Sequence, residues 1–121
     1  MSKGEHKPET ILTHTVNDIH QDHRQVGWAS ISAFRNAPQL LAYETPRVTP
    51  SFSPTYFVDI SSCVDDKWTA LKCHISQKTK RYITYESMVN LASFRGSQVS
   101  LPAAEAFEVV RYVERLPIWW W

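Results

Sequence analysis

The residues most able to do chemistry lie between His14 and Arg24, in the stretch HTVNDIHQDHR. Three of the five histidines and two aspartates, Asp18 and Asp22, fall within it. Neutral imidazole is the commonest metal donor near neutral pH. His20 and His23 stand three apart, so at a helix start their side chains reach toward one spot. A ligating histidine usually gives its second ring N–H to a carboxylate, for which Asp22 or Asp18 would serve. Spacing alone leaves two readings open. One is a metal or catalytic cluster, and the other is a polar helix start with solvated or capping histidines.

Several elements must position this cluster. Thr10 to His14 is a short β-branched run and predicts a strand. A helix is expected from about Ile19 to Arg35, with Asp18 as N-cap and Gln21 closing a capping box. Ile19, His23, Val26, Ser30 and Ala33 would share one face, and Pro38 stops the helix. Gln39 to Glu44 reads as a largely apolar strand, buried on both faces. Thr45 to Thr55 holds three prolines and no periodicity, so it is a long loop of the sort that often carries function. Arg47 within it is a candidate substrate-binding residue.

Tyr56 to Ile60 predicts a third strand. A helix capped by Ser61 or Ser62 follows to about Ser76, with Val64, Trp68, Leu71 and Ile75 as its apolar stripe. Another runs from Tyr85 to about Arg95, with Gly96 as its stop. Glu105 to Glu114 fits a half-buried strand slightly better than a helix. Alternation of this kind indicates a layered α/β fold with a mostly parallel sheet. Sites in such sheets lie at the carboxyl ends of the strands, where the histidine cluster and the proline-rich loop would meet.

Composition excludes several classes. The 121 residues carry 13 Lys and Arg against 12 Asp and Glu, a net charge of +1, which lacks the concentrated basic patch of a nucleic-acid binder. No apolar run nears the ~20 residues of a membrane span. The first nine residues are polar, read as a disordered tail, and hold no apolar leader core, so a cytoplasmic setting is expected. Cys63 and Cys73 lie ten apart in one expected helix. A helical rise of about 1.5 Å per residue separates them too far for a disulfide, whose Cα atoms must lie within about 7 Å. His74 and Cys73 read as helix surface or core filling, and Lys78 to Lys80 with Arg81 as a solvated basic face. Arg95 suits a helix C-terminus without any ligand. Residues 117–121 form a Trp-rich tail in which Trp119, Trp120 and Trp121 are read as packing against the body of the protein or as a disordered terminus, with a membrane-surface or sugar-stacking role as the alternative.

The segment THTVNDIHQDHRQVGWASISAFR resembles the second conserved block of the PIG-L / LmbE-like zinc-dependent N-deacetylases, which remove acetyl groups from N-acetylglucosaminyl compounds. The resemblance continues through LLAYETP, PSFSPTYFVDIS, KWTALKCHISQ and LASFRGSQVSLPAAEAFEVVR, from about Thr10 to Arg111. It implies a Rossmann-like, LmbE-like α/β fold, occupying residues 10–116. It also implies that His23 is a zinc ligand, that His20 assists the tetrahedral intermediate or protonates the leaving amine, and that Asp22 supports them. The substrate implied is an N-acetylated amino-sugar conjugate.

The chain departs from the family in holding no His-Pro-Asp-Asp motif, which supplies the family's other zinc ligands and its general-base aspartate. The expectation is a C-terminal half whose zinc ligand set is incomplete, with His14, His20 or Asp18 available only as improvised donors. It would be completed by a complementary N-terminal half, or associate as a homo-oligomer. Low stability or association is expected of the chain alone, and a sharp cooperative melt at monomeric mass would contradict it. The alternative is an inactive remnant or a sugar-binding or interaction module on the same scaffold.

Overall fold

A computed structural model describes residues 8–74 and 82–116. The expectations for the first residues of the tail, for the end of the second helix, for Lys78 to Lys80 and Arg81, and for the terminal tryptophans lie outside that range.

Among the described residues four strands and three helices follow in the order β1 (Thr10–His14), α1 (Gln21–Ala33), β2 (Gln39–Tyr43), β3 (Tyr56–Asp59), α2 (Val64–Lys72), α3 (Tyr85–Ser97) and β4 (Ala104–Tyr112). The strands form one sheet in the order β1-β2-β4-β3. β1 and β2 pair in parallel, Thr10 opposite Gln39 through His14 opposite Tyr43. β4 enters between β2 and β3 and runs antiparallel to both. The expected mostly parallel sheet is therefore a mixed one. Three strands share a direction, but the last strand inserts between two of them, so only one pairing is parallel.

β2 is the centre of the core. Its Leu40, Leu41 and Ala42 are all buried, as the unbroken apolar run predicts. β4 opposes it with Phe107 and a bulge near Leu40 and Leu41, and buries Ala104, Ala106 and Phe107 at its start. Thr13 of β1 meets α1 through a hydrogen bond to Ser30 Oγ at 2.7 Å. Its neighbour Leu12 lines a cavity bounded by α3. Successive strand residues face opposite sides, so α1 and α3 cover opposite faces of the sheet.

The helix limits shift for local reasons. α1 starts at Gln21 with His20 as N-cap, not Asp18. Asp18 instead turns back to accept from the His20 N–H at 2.8 Å, bending the loop before the helix. The buried face of α1 is Gly27 and Ser30, with His23 half-buried, while Val26 and Ile19 are exposed. Gly96 does not stop α3 but lies inside it. A Cβ there would sit 2.5 Å from the Leu101 carbonyl oxygen and 2.9 Å from Ala103 Cα, so glycine is needed for close packing. α2 begins at Val64 without a side-chain cap, because Ser61 is drawn to Asp59. Arg95 grips Glu44 with two nitrogens, its Nε at 2.8 Å, so its role in the fold is structural. Cys63 and Cys73 are free thiols. No helix among the described residues is long and apolar enough to cross a membrane.

Candidate metal centre

β1 ends at His14, and the next six residues carry the chain to the start of α1. Gly27 lets the helix return tightly against the strand end. A Cβ at that position would meet the His14 carbonyl oxygen at 2.7 Å and the Thr15 carbonyl carbon at 3.2 Å. His23 precedes Gly27 by one helical turn, so the same contact brings its ring over His14. The two imidazoles stack with centroids 4.0 Å apart and an interplanar angle of 10°. His20 stacks on the other side of His23 at 4.4 Å. Tyr43, at the end of the neighbouring strand β2, tilts against His14 at 4.8 Å.

Asp18 organises the group. It is fully buried, and its Oδ2 accepts from Thr45 Oγ1 at 2.7 Å and lies 3.1 Å from His23 Nδ1. Its backbone carbonyl accepts from Arg24 Nη1 at 2.9 Å. Burial opposes ionisation of Asp18, but the hydrogen bonds from Thr45, the His20 N–H and His23 outweigh it and hold the carboxyl below its usual pKa. His14 is shifted the other way in charge terms: burial first, then the neighbouring His23, lower its pKa and favour neutral imidazole. Burial, aided by the charge on Asp18, raises the Tyr43 hydroxyl.

The arrangement suits a metal ion. Donor atoms of His14, Asp18 and His23 lie within 4.8 Å of one another. His14 Nδ1 is buried and has no hydrogen-bond partner among the described residues. Buried polar nitrogens are seldom left so, and coordination to a cation would satisfy it. Neutral His14 and ionised Asp18 are also the protonation states that metal ligands require.

The structure places each sequence candidate. His23 is at the centre of the cluster. His20 stacks on it as the helix N-cap, with Nδ1 accepting from the Asp22 N–H at 3.1 Å. Asp22 contributes that backbone donor while its side chain is exposed, and the carboxylate that meets His23 is Asp18. Arg47 is tied to the site through its carbonyl, which accepts from the Ile19 N–H at 2.9 Å. Its guanidinium turns away to lie 4.3 Å over the Tyr82 ring.

The sequence did not single out Thr45, Tyr43 or Glu108. Glu108 on β4 accepts from Thr15 Oγ1, from Asn17 Nδ2 at 2.9 Å and from the Ser53 N–H at 3.2 Å. It thereby ties the loop after β1 to the proline-rich loop. A second tie is the bridge between Asp18 and Val48, beside the Thr49 N–H to Asn17 carbonyl bond at 2.9 Å. Thr45 had a signal, since it follows directly on the expected strand Gln39–Glu44. Glu108 had none, because its place depends on how β4 inserts.

No family model matches the chain. Over 71 residues it is 41% identical to an uncharacterized deacetylase, YaiS, of Escherichia coli (strain K12); the match spans 56% of this chain and 38% of the relative. Among solved structures, its fold is similar to that of GalB, a 4-carboxy-2-hydroxymuconate hydratase from Pseudomonas putida KT2440. That likeness has a TM-score of 0.71 and 24% identity over 91% of this chain and 56% of the other. The conserved protein TT1542 from Thermus thermophilus gives a TM-score of 0.72 and 22% identity, over 92% and 56%. These two likenesses concern the fold alone. The chain thus spans little more than half the length of the solved chains and a smaller share of the curated relative.

Proposed function

We propose that this chain carries part of a zinc-dependent N-deacetylase centre of the PIG-L / LmbE-like kind, acting on an N-acetylated amino-sugar conjugate in the cytoplasm. The observation that carries the reading is the buried Asp18, which orients His23 beside a His14 Nδ1 that has no hydrogen-bond partner among the described residues. A carboxylate behind a histidine fixes the tautomer and raises the basicity of the other ring nitrogen. Similarity to a protein named as a deacetylase supports the same chemistry.

His23 and His14 would hold the metal, with Asp18 nearby. A bound zinc ion supplies Lewis-acid polarisation of an amide carbonyl and a lowered pKa for water. His20 is suited to the proton work. Because its Nδ1 accepts from the Asp22 N–H, neutral His20 carries its proton on Nε2. That donor is exposed and adjacent to His23, where an oxyanion or a leaving amine would form. Asp22 supports His20 through this backbone contact. Arg47 lies where the proline-rich loop borders the cluster, and would meet polar groups of the sugar after leaving Tyr82.

Both Asp18 oxygens already accept hydrogen bonds. These bonds commit Asp18 to holding His23 and the loop, so it is not free to act as general base, although Oδ1 retains a lone pair for a metal. A complementary segment is therefore part of the proposal. The same observation favours the second reading, a binding module without turnover.

The deciding experiment measures zinc uptake and acetate release separately. The chain alone should bind zinc weakly and lose it on dialysis. His14→Ala and His23→Ala should each remove that binding, whereas His20→Ala should retain it. With a complementary segment present, acetate should be released from an N-acetylglucosaminide, and His20→Ala should lower the rate by about 100-fold. Zinc binding unchanged in His23→Ala would refute the centre. Tight zinc without acetate release in any pairing would leave the binding module as the correct reading.

A further inference from the structure

Arg24 is the fourth residue of α1. A helix N-terminus carries partial positive charge and favours anions, so a cation in the opening turn gains nothing from the helix. Arg24 reaches back past the helix start instead. Its Nη1 donates to the Asp18 carbonyl at 2.9 Å and to the Ile19 carbonyl at 2.6 Å. One nitrogen with two hydrogens thereby holds two successive carbonyls. Carbonyl oxygens drawn toward one point repel each other, and a cationic donor between them offsets that repulsion.

The bend at Asp18 and Ile19 depends on such polar ties. Ile19 is 59% exposed, so its side chain brings little packing to the loop. Its N–H donates to the Arg47 carbonyl at 2.9 Å, while its own carbonyl is held by Arg24. Asp18 is held at both ends. Its carboxylate accepts from Thr45 Oγ1 and the His20 N–H, and its carbonyl accepts from Arg24. Arg24 thus fixes the backbone from which Asp18 Oδ2 approaches His23 Nδ1 at 3.1 Å.

An ionised carboxylate can only accept a hydrogen bond. Facing it, neutral His23 carries its proton on Nδ1 and keeps a lone pair on Nε2. We propose that Arg24 is a positioning residue, which selects this tautomer of His23 by anchoring the bend at Asp18 and Ile19. The consequence for zinc, a donor atom kept at Nε2, rests on the metal-centre reading. The anchor and the tautomer do not.

NMR of the full chain in EDTA, at mildly alkaline pH and with nitrogen-labelled His and Arg, tests the anchor without metal. In the unaltered chain the Arg24 Nη1 protons should be resolved and slow to exchange, with the His23 proton on Nδ1. Arg24→Met keeps an aliphatic stem and removes the donors. It should lower the ratio of Nδ1–H to Nε2–H tautomer at His23 by about tenfold, the scale of one charge-assisted hydrogen bond. Arg24→Lys should restore most of that ratio, because both bonds leave from one nitrogen and an ammonium group has donors enough for both. Arg35→Met is the control. Arg35 Nη1 also donates to a carbonyl of α1, that of Ser32 at 3.1 Å, so its loss should leave the His23 tautomer unchanged.

A rotationally averaged Arg24 guanidinium in the unaltered chain would overturn the inference whatever the variants do. So would an unchanged tautomer ratio in folded Arg24→Met, no recovery in Arg24→Lys, or an equal fall in Arg35→Met. Zinc titration separates the two readings. A tautomer that follows Arg24 in a chain that takes up no zinc refutes the metal centre and keeps the anchor. Zinc uptake with a tautomer indifferent to Arg24 refutes the anchor and keeps the metal centre.

Discussion

At the residue scale the decisive group is Asp18. It is buried, ionised and surrounded by three donors: Thr45 Oγ1, the His20 N–H and His23. Asp18→Ala leaves those donors unpaired and should cost about 3 kcal/mol in urea denaturation. Asp18→Asn keeps the size and some acceptor capacity, so it should unfold less easily than the alanine variant. It should still weaken zinc binding by about 10- to 100-fold, since the oriented carboxylate behind His23 is gone. Protonation has a definite sign. Asp18 has a folded pKa below its usual value, so its contribution is present above the ordinary carboxylate range near about 4 and is lost as pH falls through the folded value. His14 is also lowered in the fold, so the unfolded chain takes up its proton first as pH drops below about 6.5. Both groups destabilise the metal-free fold in acid. Urea midpoints in EDTA should fall steadily from pH 7 to pH 3, and a midpoint that rises toward acid would contradict the burial of both groups. In the sequence the histidine cluster was plain, but which aspartate serves His23 was not. Asp18 and Asp22 both lie near it in the chain, and only the turn at Asp18 separates them.

At the element scale, two glycines set how closely helices approach backbone. Gly27→Ala drives a Cβ into the His14 carbonyl at 2.7 Å. The contact is with backbone, so the helix must move. Overpacking of this kind costs about 1–3 kcal/mol, and because His14 and His23 separate, zinc binding should weaken too. Gly96→Ala meets the Leu101 and Ala103 backbone and should cost a similar amount, leaving zinc binding unchanged in the protein that remains folded. Calorimetric melting of both variants, with zinc titrations, separates the two outcomes. Both glycines were visible in the chain, yet Gly96 looked like a helix stop. What keeps it inside α3 is the close approach of the Leu101–Ala103 segment, a contact made by residues outside the helix pattern.

At the scale of the whole molecule, β4 joins elements far apart in the chain. Glu108 holds Thr15, Asn17 and Ser53 at once. Glu108→Gln keeps one acceptor oxygen and loses the charge. It should speed amide exchange at Asn17 and Ser53 and lower stability by about 1–2 kcal/mol, while exchange in α2 stays unchanged. A uniform rise across the fold would show that Glu108 acts through global stability instead. The antiparallel insertion of β4 also explains why a mostly parallel sheet was expected and a mixed one found. Strand–helix alternation is local information, and it fixes neither the order of strands nor the direction of the last one. From sequence alone came the four strands, the three helices, the apolar β2 and the grouping of His14, Asp18, His20 and His23 near one strand end. Those follow from periodicity and from short spacing along the chain. Tertiary structure alone decided that Asp18 serves His23, that Thr45 and Glu108 brace the site, and that β1 is an outer strand of the described sheet. Each of these depends on contacts between residues distant in sequence, which form only when the sheet assembles.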